Sequence, residues 1–165
     1  MADTGAAYAA FIEAELKAEH DRRIAVDARA AGVATTSSAF IALAGALSIL
    51  VTGMDHKFSN AGARGVLVSM ASFLLAAIIA LVASGARTHE VASSGTLEVM
   101  LGAHWSDDVE AARHAVATAN AKGIRSLRCG NSMKARQLAV AHVFQVSAVL
   151  GLVVTLGFEL RGYAR

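Results

Sequence analysis

The chain has 165 residues, 55% of them hydrophobic and only 17% charged, with a mean hydropathy of +0.50. Soluble domains carry about 25% charged residues, so the composition sets this chain apart from them and points to a membrane. A net charge of +2, with the bases flanking apolar runs, gives no footprint for nucleic acid, and a chain without proline and with 5% aromatics is a poor β-sandwich or barrel.

Residues 1–32 predict a cytoplasmic N-terminal amphipathic helix. Asp3 or Thr4 caps it, and Tyr8, Phe11, Ile12, Leu16 and Ile24 fall near one face. It ends or kinks near Gly32, or runs straight into the first span. Glu13, Glu15, Lys17, Glu19, Asp21, Arg22 and Arg23 precede any apolar run, the wrong order for a signal peptide.

Residues 33–84 predict a transmembrane hairpin, with spans at about 33–52 and 65–84. The first core reads VATTSSAFIALAGALSILVT and the second GVLVSMASFLLAAIIALVASGA. Thr35, Thr36, Ser37 and Ser38 make the first start polar, so its apolar stretch proper begins nearer Ala39. Residues 85–136 predict a cytoplasmic helical region, with a short helix over Leu97–Leu101. Ser106 before Asp107, Asp108 and Glu110 then opens one helix running from about 107 to 158, in which Gly123 or Gly130 could introduce a break. Its last part, 137–158, is the third span, QLAVAHVFQVSAVLGLVVTLGF, and 159–165 form a short tail. Each charge-free run of about 20 residues is long enough to cross a hydrocarbon core of about 30 Å. The competing reading of these runs is a soluble protein with three buried helices.

Orientation follows from lysine and arginine. Lys57, Arg64, Arg161 and Arg165 lie on the short loop and tail, and the other bases lie on the N-terminal segment and the long connection. Hence the N-terminus and long connection are expected in the cytoplasm and the C-terminus outside.

Small residues recur every fourth position at Ser38, Ala42 and Ala46, at Ser72, Ala76, Ala80 and Ser84, and at Ser147, Gly151 and Thr155. They serve packing within the chain, contacts between subunits, or both. His142 and Gln145 share a face of the third span, at a depth similar to Thr36, Ser37 and Ser38. Polar groups in a bilayer face a bundle interior or water, so this layer is either an interhelical hydrogen-bond layer or a polar, proton-sensitive gate. The basic residues Lys122, Arg125, Arg128, Lys134 and Arg136 are either an orientation signal that meets anionic lipid or a site for an anionic ligand. Trp105 beside His104 reads as an anchor against the membrane or the helical stalk rather than a cofactor site.

The sequence holds no HExxH, GxSxG, P-loop or paired-cysteine motif, so no enzyme, metal or cofactor is expected. The one cysteine, Cys129, fits a reducing compartment.

Two segments carry a family resemblance. One is Val26-Asp27-Ala28-Arg29-Ala30, at the entry to the first span. The other is Asn131-Ser132-Met133-Lys134-Ala135-Arg136, at the entry to the last. With the helical stretch between the second and third spans, the layout resembles the Pycsar-type transmembrane effectors (PycTM-like), small bacterial membrane proteins of anti-phage immunity. The resemblance implies an effector that responds to a cyclic pyrimidine nucleotide and impairs the inner membrane. It carries over to Asp27, Arg29, Lys134 and Arg136. The chain departs from the family in having Gly85-Ala86-Arg87 where a proline is expected, and in lacking a separate nucleotide-binding domain.

The expectation is thus an all-α membrane bundle with three transmembrane helices and a cytoplasmic helical stalk, lodged in a bacterial inner membrane as a homo-oligomer. Its function is that of a pore-forming or membrane-impairing effector gated by a cyclic nucleotide-like anion. The alternative is a non-enzymatic scaffold that binds a soluble partner through its cytoplasmic helices.

Overall fold

The computed structural model describes residues 4–53, 58–85, 94–102 and 108–163. Asp3, Lys57, Arg87, His104, Trp105, Ser106, Asp107 and Arg165 lie outside the described residues. Helix accounts for 96% of what is described, so the protein is all-α. Four helices follow in order: α1 (Thr4–Gly53), α2 (Asn60–Ser84), α3 (Ser94–Leu101) and α4 (Val109–Tyr163). Three of them, α1, α2 and α4, contain stretches long and apolar enough to cross a membrane.

Local chemistry accounts for the helix lengths. With no proline, nothing removes a backbone donor from α1 or α4. Helix α1 runs straight through Gly32 into the first apolar stretch, the second of the two courses expected, and α4 continues through Gly123 and Gly130, where breaks were possible. An internal glycine costs only about 1 kcal/mol, which packing along the rest of a long helix outweighs. The hydroxyls of Thr36, Ser38 and Ser48 donate back to the carbonyls of Gly32, Ala34 and Ala44, at 2.9, 2.9 and 2.8 Å. The polar run at 35–38 therefore stays helical.

Helix α2 starts at Asn60, earlier than the span expected at 65, because Ser59 caps it and accepts from the Gly62 amide at 3.0 Å. Gly85 ends it, its N–H reaching the carbonyls of Leu81 and Val82 at 3.1 and 3.3 Å.

The chain divides into two compact units. One comprises Met1–Ala25 and Ala86–Met133, and the other Val26–Gly85 and Lys134–Arg165. In the second unit, a series of less exposed positions recurs in steps of three and four, with Ala77 also buried on α2. On α1 they are Val26, Ala30, Val33, Ser37, Phe40 and Ala44. On α2 they are Gly62, Val66, Ser69, Phe73, Ala76, Ala80 and Ala83. On α4 they run from Lys134, Leu138 and Ala141 to Gln145 and Ala148. A 3.5-residue repeat is the signature of helices wound left-handedly about one another.

The contents of this seam are unusual for water. Alanine, glycine and serine dominate the inside, joined by the stacked rings of Phe40 and Phe73 at 5.1 Å. Leu67, Val68, Leu74, Leu75, Leu81 and Val82 of α2, and Val143, Val146, Leu150, Val153, Val154 and Phe158 of α4, are exposed.

The first unit follows the same spacing, with Ile12, Leu16, Glu19 and Arg23 on α1 and Ala117, Asn120, Ile124, Leu127 and Asn131 on α4. The single apolar face expected for residues 8–24 does not form. Tyr8, Phe11 and Ile24 are exposed, and Glu19 takes the inward place. The reason is a set of polar partners on α4.

Candidate functional site

In the second unit, polar contacts join α1 to α4. Lys134 donates from Nζ to Asp27 Oδ1 at 2.7 Å. The lysine side chain is only 2% exposed and the aspartate 35%, so nearly all the desolvation falls on the lysine. Gln145 Nε2 donates to Thr36 Oγ1 at 2.6 Å. Ser37 is fully buried, and its hydroxyl has no hydrogen-bond partner among the described groups. Ser38 bonds its own helix, and His142 Nδ1 lies 2.9 Å from the Leu138 carbonyl, also within its own helix. Of the expected polar layer, then, Thr36 and Gln145 meet directly. Arg29 and Arg136 are exposed.

The other end of this unit joins α2 to α4. Glu159 accepts from the Ser59 amide at 3.3 Å and from the Ser59 hydroxyl. A carboxylate from one helix thereby completes the cap of another, where the free amides favour negative charge. Gly62, Gly65 and Ser69 lie against Glu159, Thr155 and Gly151. At Gly65, a Cβ would overlap Thr155 Oγ1 and sit 2.9 Å from Cγ2 and 3.2 Å from Cβ.

In the first unit, Arg128 is held by two carboxylates, Glu15 and Glu19, the latter at 3.1 Å from Nε. Asn131 is buried and donates from Nδ2 to both the carbonyl and Oε2 of Glu19, each at 3.0 Å. Arg125 is exposed. Of the basic residues expected from sequence, Arg128 and Lys134 are paired with carboxylates in separate units.

Glu15, Glu19, Asn131, Ser59, Gly65 and Glu159 were not among the expected site residues. Glu15 and Glu19, one helical turn apart, and Arg128 and Asn131, three apart, do have complementary spacing, but sequence alone offers many equivalent pairs.

Asn131→Leu should destabilise the first unit by about 2 kcal/mol, because Oε2 and the carbonyl of buried Glu19 lose their amide donor while Arg128 still holds Oε1. Faster limited proteolysis within residues 108–133 would register the loss. An unchanged cleavage rate would show that the amide contributes nothing.

No family model matches the chain, and no curated protein or solved structure is significantly similar to it. The fold and site define a class only: an all-α protein with three helices of membrane-crossing length and charged contacts between α1 and α4.

Proposed function

We propose that the chain is a non-enzymatic, multi-pass membrane effector of bacterial anti-phage defence. The observation that carries the membrane reading is the inverted packing of the second unit. Small residues are inside, and leucine, valine and phenylalanine are outside on α2 and α4. In water an exposed apolar face of this kind is unfavourable for a soluble monomer. In lipid it costs nothing, and small residues are what allow helices to approach. On this reading the bundle crosses an inner membrane three times, with the N-terminus and the long connection in the cytoplasm.

The effector reading draws on the resemblance at Asp27, Arg29, Lys134 and Arg136. A ligand carrying phosphate would act by competition. At Lys134 it would displace Asp27, and at Arg128 it would displace Glu15 and Glu19. The exchange at Lys134 trades one carboxylate, and that at Arg128 two, for a singly charged phosphodiester whose oxygens accept charge-assisted hydrogen bonds. In the second unit the exposed Arg29 and Arg136 offer first contacts for such an anion, and in the first unit Arg125 does. The resemblance names a cyclic pyrimidine nucleotide.

A second reading, a scaffold for a soluble partner, is favoured by one observation. A groove of about 480 Å³ in the first unit is lined by Tyr8, Ala9 and Ile12 of α1 and by Arg113, His114 and Ala117 of α4.

Induced expression in the presence of a membrane-potential dye separates the two. The effector should depolarise cells on addition of the activating nucleotide, and Lys134→Met should abolish that response. A potential that stays intact under every condition would sink the effector reading and favour the scaffold.

A further inference from the structure

The start of α2 is closed by a side chain from the far end of α4. Ser59 donates its amide to Glu159 Oε2 at 3.3 Å and its hydroxyl to Glu159 Oε1. The same hydroxyl oxygen accepts from the Gly62 amide at 3.0 Å. Donors therefore run in one direction, from Gly62 through Ser59 to the carboxylate. Bonds chained in this way polarise one another. Gly62 gives an independent sign that the carboxylate is fitted into its place. A Cβ there would fall at under 3 Å from Oε1, Cδ and Cγ of Glu159. Only glycine leaves that room.

These contacts suit the ionised form. A carboxylate only accepts, and here both oxygens face donors. A proton on either oxygen turns an acceptor into a donor, and the Ser59 hydroxyl must then swing away or reverse its role. Protonation also removes the charge that strengthens both bonds. It takes the anion away from the positive end of the α2 dipole.

The other titratable side chains in the two joined ends are Arg64 on α2 and Arg161 and Tyr163 on α4. None of them changes charge between pH 3 and pH 7. The last two turns of α1, residues 46–53, carry no titratable group. Asp55, His56 and Lys57 lie outside the described residues.

We infer that Ser59 and Glu159 form an acid-released clasp between α2 and α4. It holds the start of α2 on α4 while Glu159 is ionised and lets it go when the carboxyl takes up a proton. The sign follows from which form is bonded. The contact is present above the ordinary titration range of a glutamate, about pH 4.3, and is lost as pH falls through that range. Release starts at this end, because Gly65 and Ser69 meet Thr155 and Gly151 further along by close approach of uncharged groups. The clasp itself does not rest on the membrane reading. On that reading its end of the bundle lies outside the cytoplasm, so the acid it answers is external.

Paired spin labels on the full chain in detergent micelles test it, in a Cys129→Ser background. Labels at Asn60→Cys and Arg161→Cys report the clasped end. Labels at Leu75→Cys and Leu150→Cys report the middle of the same two helices. Moving from pH 7 to pH 3 should widen the distance distribution at the clasped end about twofold, reversibly, and leave the middle pair unchanged. Glu159→Gln should give the wide distribution at both pH values, since it has no charge to lose. Gly62→Ala, which alters no charge but crowds the carboxylate out, should give it already at pH 7. A clasped end that stays narrow at pH 3 would overturn the inference. So would a Glu159→Gln chain that is narrow at pH 7 and widens with acid as the wild type does, because another group would then be titrating. Equal widening of the middle pair would also overturn it, by showing general acid unfolding in place of release at one end.

Discussion

Gly65→Ala should lower the stability of the bundle by about 2 kcal/mol, although the same exchange ordinarily strengthens a helix by nearly 1 kcal/mol. The sign reverses because the new methyl would occupy the space of Thr155 Oγ1 and press on its Cγ2 and Cβ. Threonine is branched at Cβ and cannot swing clear as a long side chain does. The helices must part, and overpacking of this kind costs about 1–3 kcal/mol. Gly62 offers a useful contrast, since the nearest atoms there belong to the flexible Glu159 side chain.

Unfolding by sodium dodecyl sulfate in mixed micelles measures the effect. Gly157→Ala is the control, because no atom lies within 4 Å of its Cβ position. Thr155→Ala added to Gly65→Ala should restore at least half the loss, and a double-mutant cycle isolates the coupling. Equal stability of Gly65→Ala and Gly157→Ala would show that α2 and α4 are not in such close contact.

Asp27→Ala should cost more than Lys134→Met, by about 3 kcal/mol against about 1 kcal/mol. The asymmetry follows from burial. Removing the aspartate leaves an ammonium that is 2% exposed and has lost the carboxylate beside it, and an uncompensated buried charge is costly. Removing the lysine leaves a carboxylate that is 35% exposed and can turn to water. Methionine also fills most of the space of the lysine stem. The double variant should recover most of the stability lost by Asp27→Ala. Equal losses from the two single variants would mean that the pair is not buried on the lysine side. Because the resemblance also singles out both positions, stability must be measured beside the depolarisation assay.

Much of the architecture was legible in the sequence. Three runs of about 20 uncharged residues, no proline and abundant alanine specify helices of membrane-crossing length. The helix expected at 107–158 corresponds to Val109–Tyr163, and the short helix at 97–101 to Ser94–Leu101. The faces were not legible. Tyr8, Phe11 and Ile24 look like an apolar face, yet they are exposed, while Glu19 lies inside. Hydropathy cannot rank a glutamate above a phenylalanine unless it knows that Asn131 and Arg128 await it across the helix pair.

The stripe at Ser38, Ala42 and Ala46 illustrates the same limit from the other side. Its spacing is right for packing, but the residues that α1 buries are Val33, Ser37, Phe40 and Ala44. In a segment made almost wholly of alanine, serine and short aliphatic residues, both faces satisfy the same pattern.

The amino-acid sequence by itself determined how much of this protein is helix and which stretches are apolar enough for lipid, because both depend on local propensity and on runs of uncharged side chains. Only the tertiary structure decided which face of each helix is inside, that Lys134 reaches Asp27 rather than another acid, and that Glu159 caps the start of α2. Those outcomes depend on the relative rotation and depth of helices whose contacting residues lie 100 or more apart in the chain. A difference of one residue in register would pair other groups with equal chemical plausibility.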